Sequence, residues 1–196
     1  MQKLEAYIPK ETVAQISQWL NNYNCQLKIT KPRQTKLGDY CCPQKGKGHI
    51  ISVNNDLNSY AFLITLTHEI AHMMVWEKHQ NKVQPHGKEW KEMFQLLMLN
   101  FLPFFPQDIL TPLAIHLKNP KASSSQDVAL TTALRSYNSS QITTIEDIPM
   151  GNTFRIPNGK RFVKLKKLRK RYQCRAEHNN RLYLFSPLAE VEVTPN

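Results

Sequence analysis

An α+β fold is predicted for this 196-residue chain, on two observations. Apolar residues at spacings of three and four dominate residues 10–117, the signature of amphipathic helices. From about Ile145 the pattern changes to short β-prone segments separated by turn residues. The first part reads as a compact domain of helices with a small antiparallel sheet. The second reads as a small all-β module.

Residues 10–22 place Val13, Ile16, Trp19 and Leu20 on one helical face, with Pro9 at the start. Residues 25–31 and 48–54 mix β-branched with polar residues and read as strands. Leu37 to Tyr40 and Pro43 to Gly48 lie between them as turns of an antiparallel hairpin or meander. Asn54, Asn55 and Asp56 are cap residues for a helix over 57–79, with an apolar face through Leu63, Leu66, Ile70 and Met74. A third helix begins at Gly87, carries Trp90, Phe94, Leu97 and Met98, and is stopped by Pro103 and Pro106. A shorter helix covers 107–117. Residues 119–126 have linker composition, and a short helix follows near 127–137. Strands are then expected at 153–156, 161–165, 171–175, 181–185 and 190–193. The predicted division is therefore a domain over 1–120, a linker with a short helix over 121–143, and a β module over 144–196.

No run of about 18 apolar residues is present to span a membrane. The charged stretch Met1 to Lys10 lacks the apolar core of a secretory signal, so a cytoplasmic location is expected. Cys25, Cys41, Cys42 and Cys174 show no Cys-x-x-Cys spacing and read as free thiols, which leaves no four-cysteine zinc ribbon. The net charge is +11. It is concentrated: residues 119–196 hold 13 Lys and Arg against 6 Asp and Glu. That excess suits a polyanionic partner, although a solvated basic face explains it equally well.

The sharpest signal is His68-Glu69-Ile70-Ala71-His72. Histidines four apart stand one above the other on a helix, so both rings reach one zinc ion. Glu69, on the same turn, can take a proton from a zinc-activated water and pass it to a leaving amine. The bland alternative is that His68 and His72 are histidines hydrogen-bonded within a core. Two imidazoles and a carboxylate in so apolar a helix would be costly without a ligand. A catalytic zinc needs a third protein ligand and an open position. His49, His79, His86, Glu77, Glu89 and Glu92 are the candidates. His79 is about 16 Å along the helix from His68 and is excluded. His86, at the head of the next helix, is favoured, with Glu89 and Glu92 as alternatives.

These residues resemble the SprT-like metallopeptidase family, which includes the Spartan-type proteases. The helix motif, His86-Gly87-Lys88-Glu89-Trp90, and the lead-in Lys36 to Tyr40 with Ile50 to Asn54 carry the resemblance, over about residues 8–118. It implies a compact zincin-like domain holding one zinc on His68, His72 and His86, with Glu69 as catalytic base. It also implies a protein or peptide substrate, which for chromatin-acting members is bound to DNA. Many members end in a four-cysteine zinc ribbon. Here the β module stands in its place, as in a bacterial-type variant, so ribbon-mediated DNA contacts do not carry over.

Within the β module, Lys160 to Arg175 is densely basic with Phe162 and Tyr172 interleaved. Lys164, Lys166, Lys167, Arg169, Lys170 and Arg171 are the candidate contacts to DNA phosphates. The chain thus reads as a zinc peptidase acting on proteins, some of them DNA-associated. The alternative is a nucleic-acid-binding protein whose zinc is structural.

Overall fold

The computed structural model describes residues 4–33, 35–44, 46–122, 127–139 and 143–193. It forms two compact units, Met1–Ser139 and Ser140–Asn196.

In the first unit, α1 (Val13–Asn22) buries Ile16 and Leu20, as its periodicity requires. Strands β1 (Gln26–Thr30), β2 (Gly38–Cys41) and β3 (Ile50–Asn54) follow. The sheet is mixed, in the order β1-β3-β2, and this corrects the expected antiparallel hairpin. β3 inserts between its predecessors, parallel to β1 and antiparallel to β2. The reason is burial. Ile51 and Val53 are both fully buried, so the most apolar strand takes the centre, where both of its edges are paired. The strands expected at 25–31 and 48–54 are neighbours but run parallel, and most of the segment Leu37 to Tyr40, read as a turn, is the edge strand β2. Buried Asn54 fixes the loop before β2: its amide donates to the carbonyls of Arg33 and Lys36, and its oxygen accepts from Arg33 Nε at 2.8 Å.

Helix α2 (Ser59–His79) is capped by Asn58, whose side chain accepts from the Ala61 N–H at 3.0 Å, rather than by the Asn54–Asp56 run. It is buried nearly all round, from Phe62 to Val75, as befits a central helix. Met73 reaches the core, and Met74 is only half-buried. Gln80, at φ 54°, ends the helix and turns the chain back. Helix α3 (Lys88–Leu99) then packs on α2 with Trp90, Phe94, Leu97 and Met98 buried. Burying each such large side chain contributes about 1.5–3 kcal/mol. Helix α4 (Gln107–Lys118) follows the Pro103 and Pro106 break. Helix α5 (Val128–Arg135), N-capped by Asp127, is the short helix expected near 127–137 within the segment 121–143. It is part of the first unit: Leu130 and Leu134 enter its core, and Asn58 donates to the Leu134 carbonyl at 2.8 Å. Residues 123–126 and 140–142 of that segment lie outside the described residues.

The second unit is a five-stranded antiparallel sheet, ordered β7-β6-β5-β4-β8. Its strands are β4 (Thr153–Arg155), β5 (Arg161–Lys167), β6 (Tyr172–Ala176), β7 (Leu182–Phe185) and β8 (Glu192–Val193). Phe154, Phe162, Tyr172 and Cys174 form its core with Ile145 and Ile148. Lys164, expected among the phosphate contacts, is buried instead. Its ammonium donates to the carbonyls of Ile145 at 2.7 Å and Ile148 at 2.6 Å, and stands 3.9 Å above the Tyr172 ring. The Glu146 carbonyl at 3.4 Å takes its third donor, so the ammonium is spent on the carbonyls of the 3-10 turn Ile145–Asp147 and its flank and has none left for a phosphate. Among the described residues, no helix is long and apolar enough to cross a membrane.

Candidate metal and catalytic site

Helix α2 presents His68, Glu69 and His72 on the side facing β2 and the head of α3. His86 follows Pro85 in the turn before α3, which a Gly87 N–H to Gln84 carbonyl bond of 3.0 Å closes. The three Nε2 atoms converge: His68 to His72 is 3.2 Å, His72 to His86 is 3.0 Å, and His86 to His68 is 3.2 Å. Three ring nitrogens at these separations cannot satisfy one another. Each is either a donor or an acceptor, so at least one edge of the triangle sets like against like. A tetrahedral ion with bonds of about 2.0–2.1 Å holds its ligands roughly 3.3 Å apart, close to what is seen. The donor set therefore fits a single cation. Among the described residues it is the one group of three or more His, Cys, Asp or Glu placed to hold a metal.

Burial pushes the His68 imidazole down to about 3, aided by His72 and His86, and the His72 imidazole down to about 4, aided by His86. Burial lowers His86 as well. Neutral imidazole, the metal-binding form, is thus the resting form.

Trp90 is the residue that sequence reading undervalued. It is fully buried, with its ring 4.5 Å from His68, 5.3 Å from His72 and 4.8 Å from His86, centroid to centroid. One indole thereby supports all three imidazoles, and Phe94 stacks behind it at 5.2 Å. Its position in a helix four residues after His86 was the available signal.

The other candidate ligands lie elsewhere. His49 bonds Tyr40 Oη through Nδ1 and Glu77 through Nε2, both at 2.9 Å, so His49 and Glu77 occupy each other. Glu92 reaches towards Lys88.

Glu69 is 7% exposed, and burial raises its carboxyl to about 8 in the metal-free protein, with Asp39 adding to the shift. Arg33, Lys36 and a hydrogen bond from the Tyr40 backbone N–H oppose it. That bond ties the carboxylate to β2. Gly38 makes the approach possible, since a Cβ there would lie 2.6 Å from Glu69 Oε1 and 2.8 Å from Thr65 Cγ2. Gly38→Ala is expected to displace Glu69 and lower turnover by about 10²-fold with the metal still bound. Steady-state kinetics beside metal analysis check this; wild-type turnover in the variant would mean that the close approach is not needed.

A cleft of about 470 Å³ opens in front of the cluster, lined by His68, Glu69, His72 and His86 together with Tyr40 and Trp76.

Residues 10–106 match the family model described as SprT-like. Through this segment the chain belongs to the SprT-like family. The SprT-like segment contains all three imidazoles, Glu69, Gly38 and Trp90. Curated relatives include Protein SprT of Escherichia coli O1:K1 / APEC, of Escherichia coli O139:H28 (strain E24377A / ETEC) and of Escherichia fergusonii. Each is 50% identical over 42 residues, which is 21% of this chain and 25% of the relative. The match thus spans about a quarter of the length of those relatives. No solved structure matches the chain.

The basic residues fall into three groups. Lys166, Arg169, Lys170 and Arg171 are exposed at and beside the β5–β6 hairpin. Lys167 is half-exposed and paired with Glu146 at 2.9 Å. Lys164 is buried, as described above.

Proposed function

We propose that this SprT-like protein is a zinc-dependent peptidase in which His68, His72 and His86 hold one zinc ion and Glu69 is the general base. The observation that carries this reading is the convergence of three neutral imidazole nitrogens beside a buried carboxylate, at the wall of an open cleft. When bound, zinc supplies a Lewis acid that polarises a peptide carbonyl and activates water. Glu69 accepts the released proton on its carboxylate and delivers it to the leaving amine. The Tyr40 N–H holds that carboxylate in place, and Trp90 keeps the imidazoles aligned. A structural zinc, the alternative, calls for a fourth protein ligand, and among the described residues no Cys, His, Asp or Glu joins the three. The test is elemental analysis of purified protein together with hydrolysis of an unfolded substrate such as casein. One zinc per chain, with hydrolysis abolished by chelation and restored by zinc, is the expected result. Protein that holds zinc and cleaves nothing would favour the structural alternative.

A second reading, that DNA-associated proteins are substrates, is favoured by the charge pairing of the second unit. Glu146, Glu177 and Glu192 are paired with Lys167, Arg161 and Arg155, and Asp147 accepts from Thr144. Among the described residues, Lys166, Arg169, Lys170 and Arg171 make no ion pair and are left for an outside anion. Reversing Lys166, Arg169, Lys170 and Arg171 to Glu should weaken DNA binding and flatten its dependence on salt, by roughly 0.9 in log–log slope for each phosphate no longer neutralised. An unaltered slope in a titration against duplex DNA would remove the hairpin from the interface.

A further inference from the structure

Strand β7 ends the second sheet on one side and pairs with β6 alone. Tyr183 and Phe185 face the core, their rings edge-on to Phe162 at 5.4 Å and 4.9 Å. Alternation turns Leu182 and Leu184 to the opposite face, where they are 57% and 52% exposed. The backbone follows the same alternation. The Ala176 N–H donates to the Arg181 carbonyl at 2.9 Å, so Arg181, Tyr183 and Phe185 are the residues whose carbonyls and amides turn towards β6. The N–H and C=O groups of Leu182 and Leu184 point the other way, out of the sheet, where no further strand lies.

An open edge pairs with a strand that meets it unless charge, proline, a bulge or a covering element prevents it. The other edges carry such protection. β8 is two residues long, with Glu192 held by Arg155. β2 lies against α2, where Glu69 takes its Tyr40 N–H. β1 carries Lys28. Within β7 there is no charge and no proline, and its register with β6 is unbroken.

The chemistry of this edge selects its occupant. Carbonyls alternate there with amides, and a phosphate backbone, which offers only acceptors, cannot pair with carbonyls. A peptide strand supplies both groups. Exposed arginines stand at both ends of β7: Arg181 before Leu182, and Arg171 beside Tyr172, which is opposite Phe185. Arg175, also exposed, is opposite Leu182. Glu177, at the end of β6 near Arg181, is taken by Arg161 at 3.1 Å. A second copy of the chain, docked antiparallel, would bring the Arg181 of each copy towards the Arg171 of the other, which like charge opposes.

We infer that β7 is a docking edge for an extended segment of a partner protein, apolar at its centre and acidic at both ends, which joins the sheet as an added strand. Main-chain hydrogen bonds supply the affinity, Leu182 and Leu184 cover the apolar centre, and the flanking arginines choose the charge. The inference stands independently of the peptidase reading.

The experiment uses the full chain and a labelled peptide with a Val-Thr-Val centre and two glutamates at each end, followed by fluorescence anisotropy. It should bind about tenfold more tightly than the same peptide with lysines at its ends, a difference of about 1.4 kcal/mol. Two further versions carry N-methyl groups at alternate backbone nitrogens, one set on each edge of the peptide strand. Only the version methylated on the edge that meets β7 should lose binding, by about tenfold or more. Leu184→Pro should lose it too, because its N–H faces outward and the bonds to β6 do not use it. Equal binding of glutamate- and lysine-ended peptides, equal binding of the two methylated versions, or wild-type binding by Leu184→Pro would overturn the proposal. A dimer seen in sedimentation and abolished by Leu184→Pro would give the edge to a second copy and overturn it as well.

Discussion

Glu69→Gln is expected to lose hydrolysis by about 10²–10⁴-fold while still holding its metal. Glutamine has the same shape, and its carbonyl oxygen still accepts the Tyr40 N–H that holds Glu69. It removes a carboxylate that burial penalises, so packing against Gly38 should survive. What it removes is the capacity to carry a proton. Measuring kcat/KM and zinc content on one preparation separates the two effects. A variant with more than about a tenth of wild-type activity would assign the base to another group.

His86→Ala is expected to lower zinc affinity by at least about 10²-fold, since even disturbing a ligand's supporting partner costs 10–100-fold. His49→Ala is the control. His49 is more deeply buried than His86, but it is bound to Tyr40 and Glu77, so its loss should leave zinc content intact. The pH dependence is a second arm, best measured on Glu69→Gln, where Glu69 no longer titrates. Three imidazoles at the ordinary value near 6.5 would compete with the metal and cost about 10³-fold in affinity between pH 7.5 and 5.5. Here the folded-state values of about 3 for His68 and about 4 for His72 lie below that window, so neither ring takes up a proton within it. Lowered values mean that proton competition sets in only as the pH falls towards 4. The expected loss is then at most about tenfold, from His86. A thousandfold loss in zinc titrations would show that the rings are solvated rather than buried.

Helix α2 and its motif were legible because their information is local. His68, Glu69 and His72 lie within five residues, and helical geometry alone puts them on adjoining positions. The helices carrying Trp90 and Phe94, and the strands of the second unit, were legible for the same reason: a period of 3.6 or 2 is a property of a short window. His86 was placed at the head of α3 by local signals, but its choice over Glu89 was not local. That depended on the turn at Gln80 and on where α3 comes back along α2.

The sequence by itself determined the helices and the strands of the second unit, the His68–Glu69–His72 constellation and the excess of positive charge in the second unit, but it showed Leu37 to Tyr40 only as a turn. Only the tertiary structure decided which strand lies at the centre of the first sheet and that α5 joins the first core. It alone showed that Gly38 leaves room for Glu69, that Trp90 underlies three imidazoles, and that Lys164 is buried while its neighbours are not. The physical reason is the range of the forces involved. Backbone hydrogen bonding and side-chain periodicity act over a few residues. Burial, close packing and the pairing of a charge depend on groups far apart in the chain that meet only when it folds.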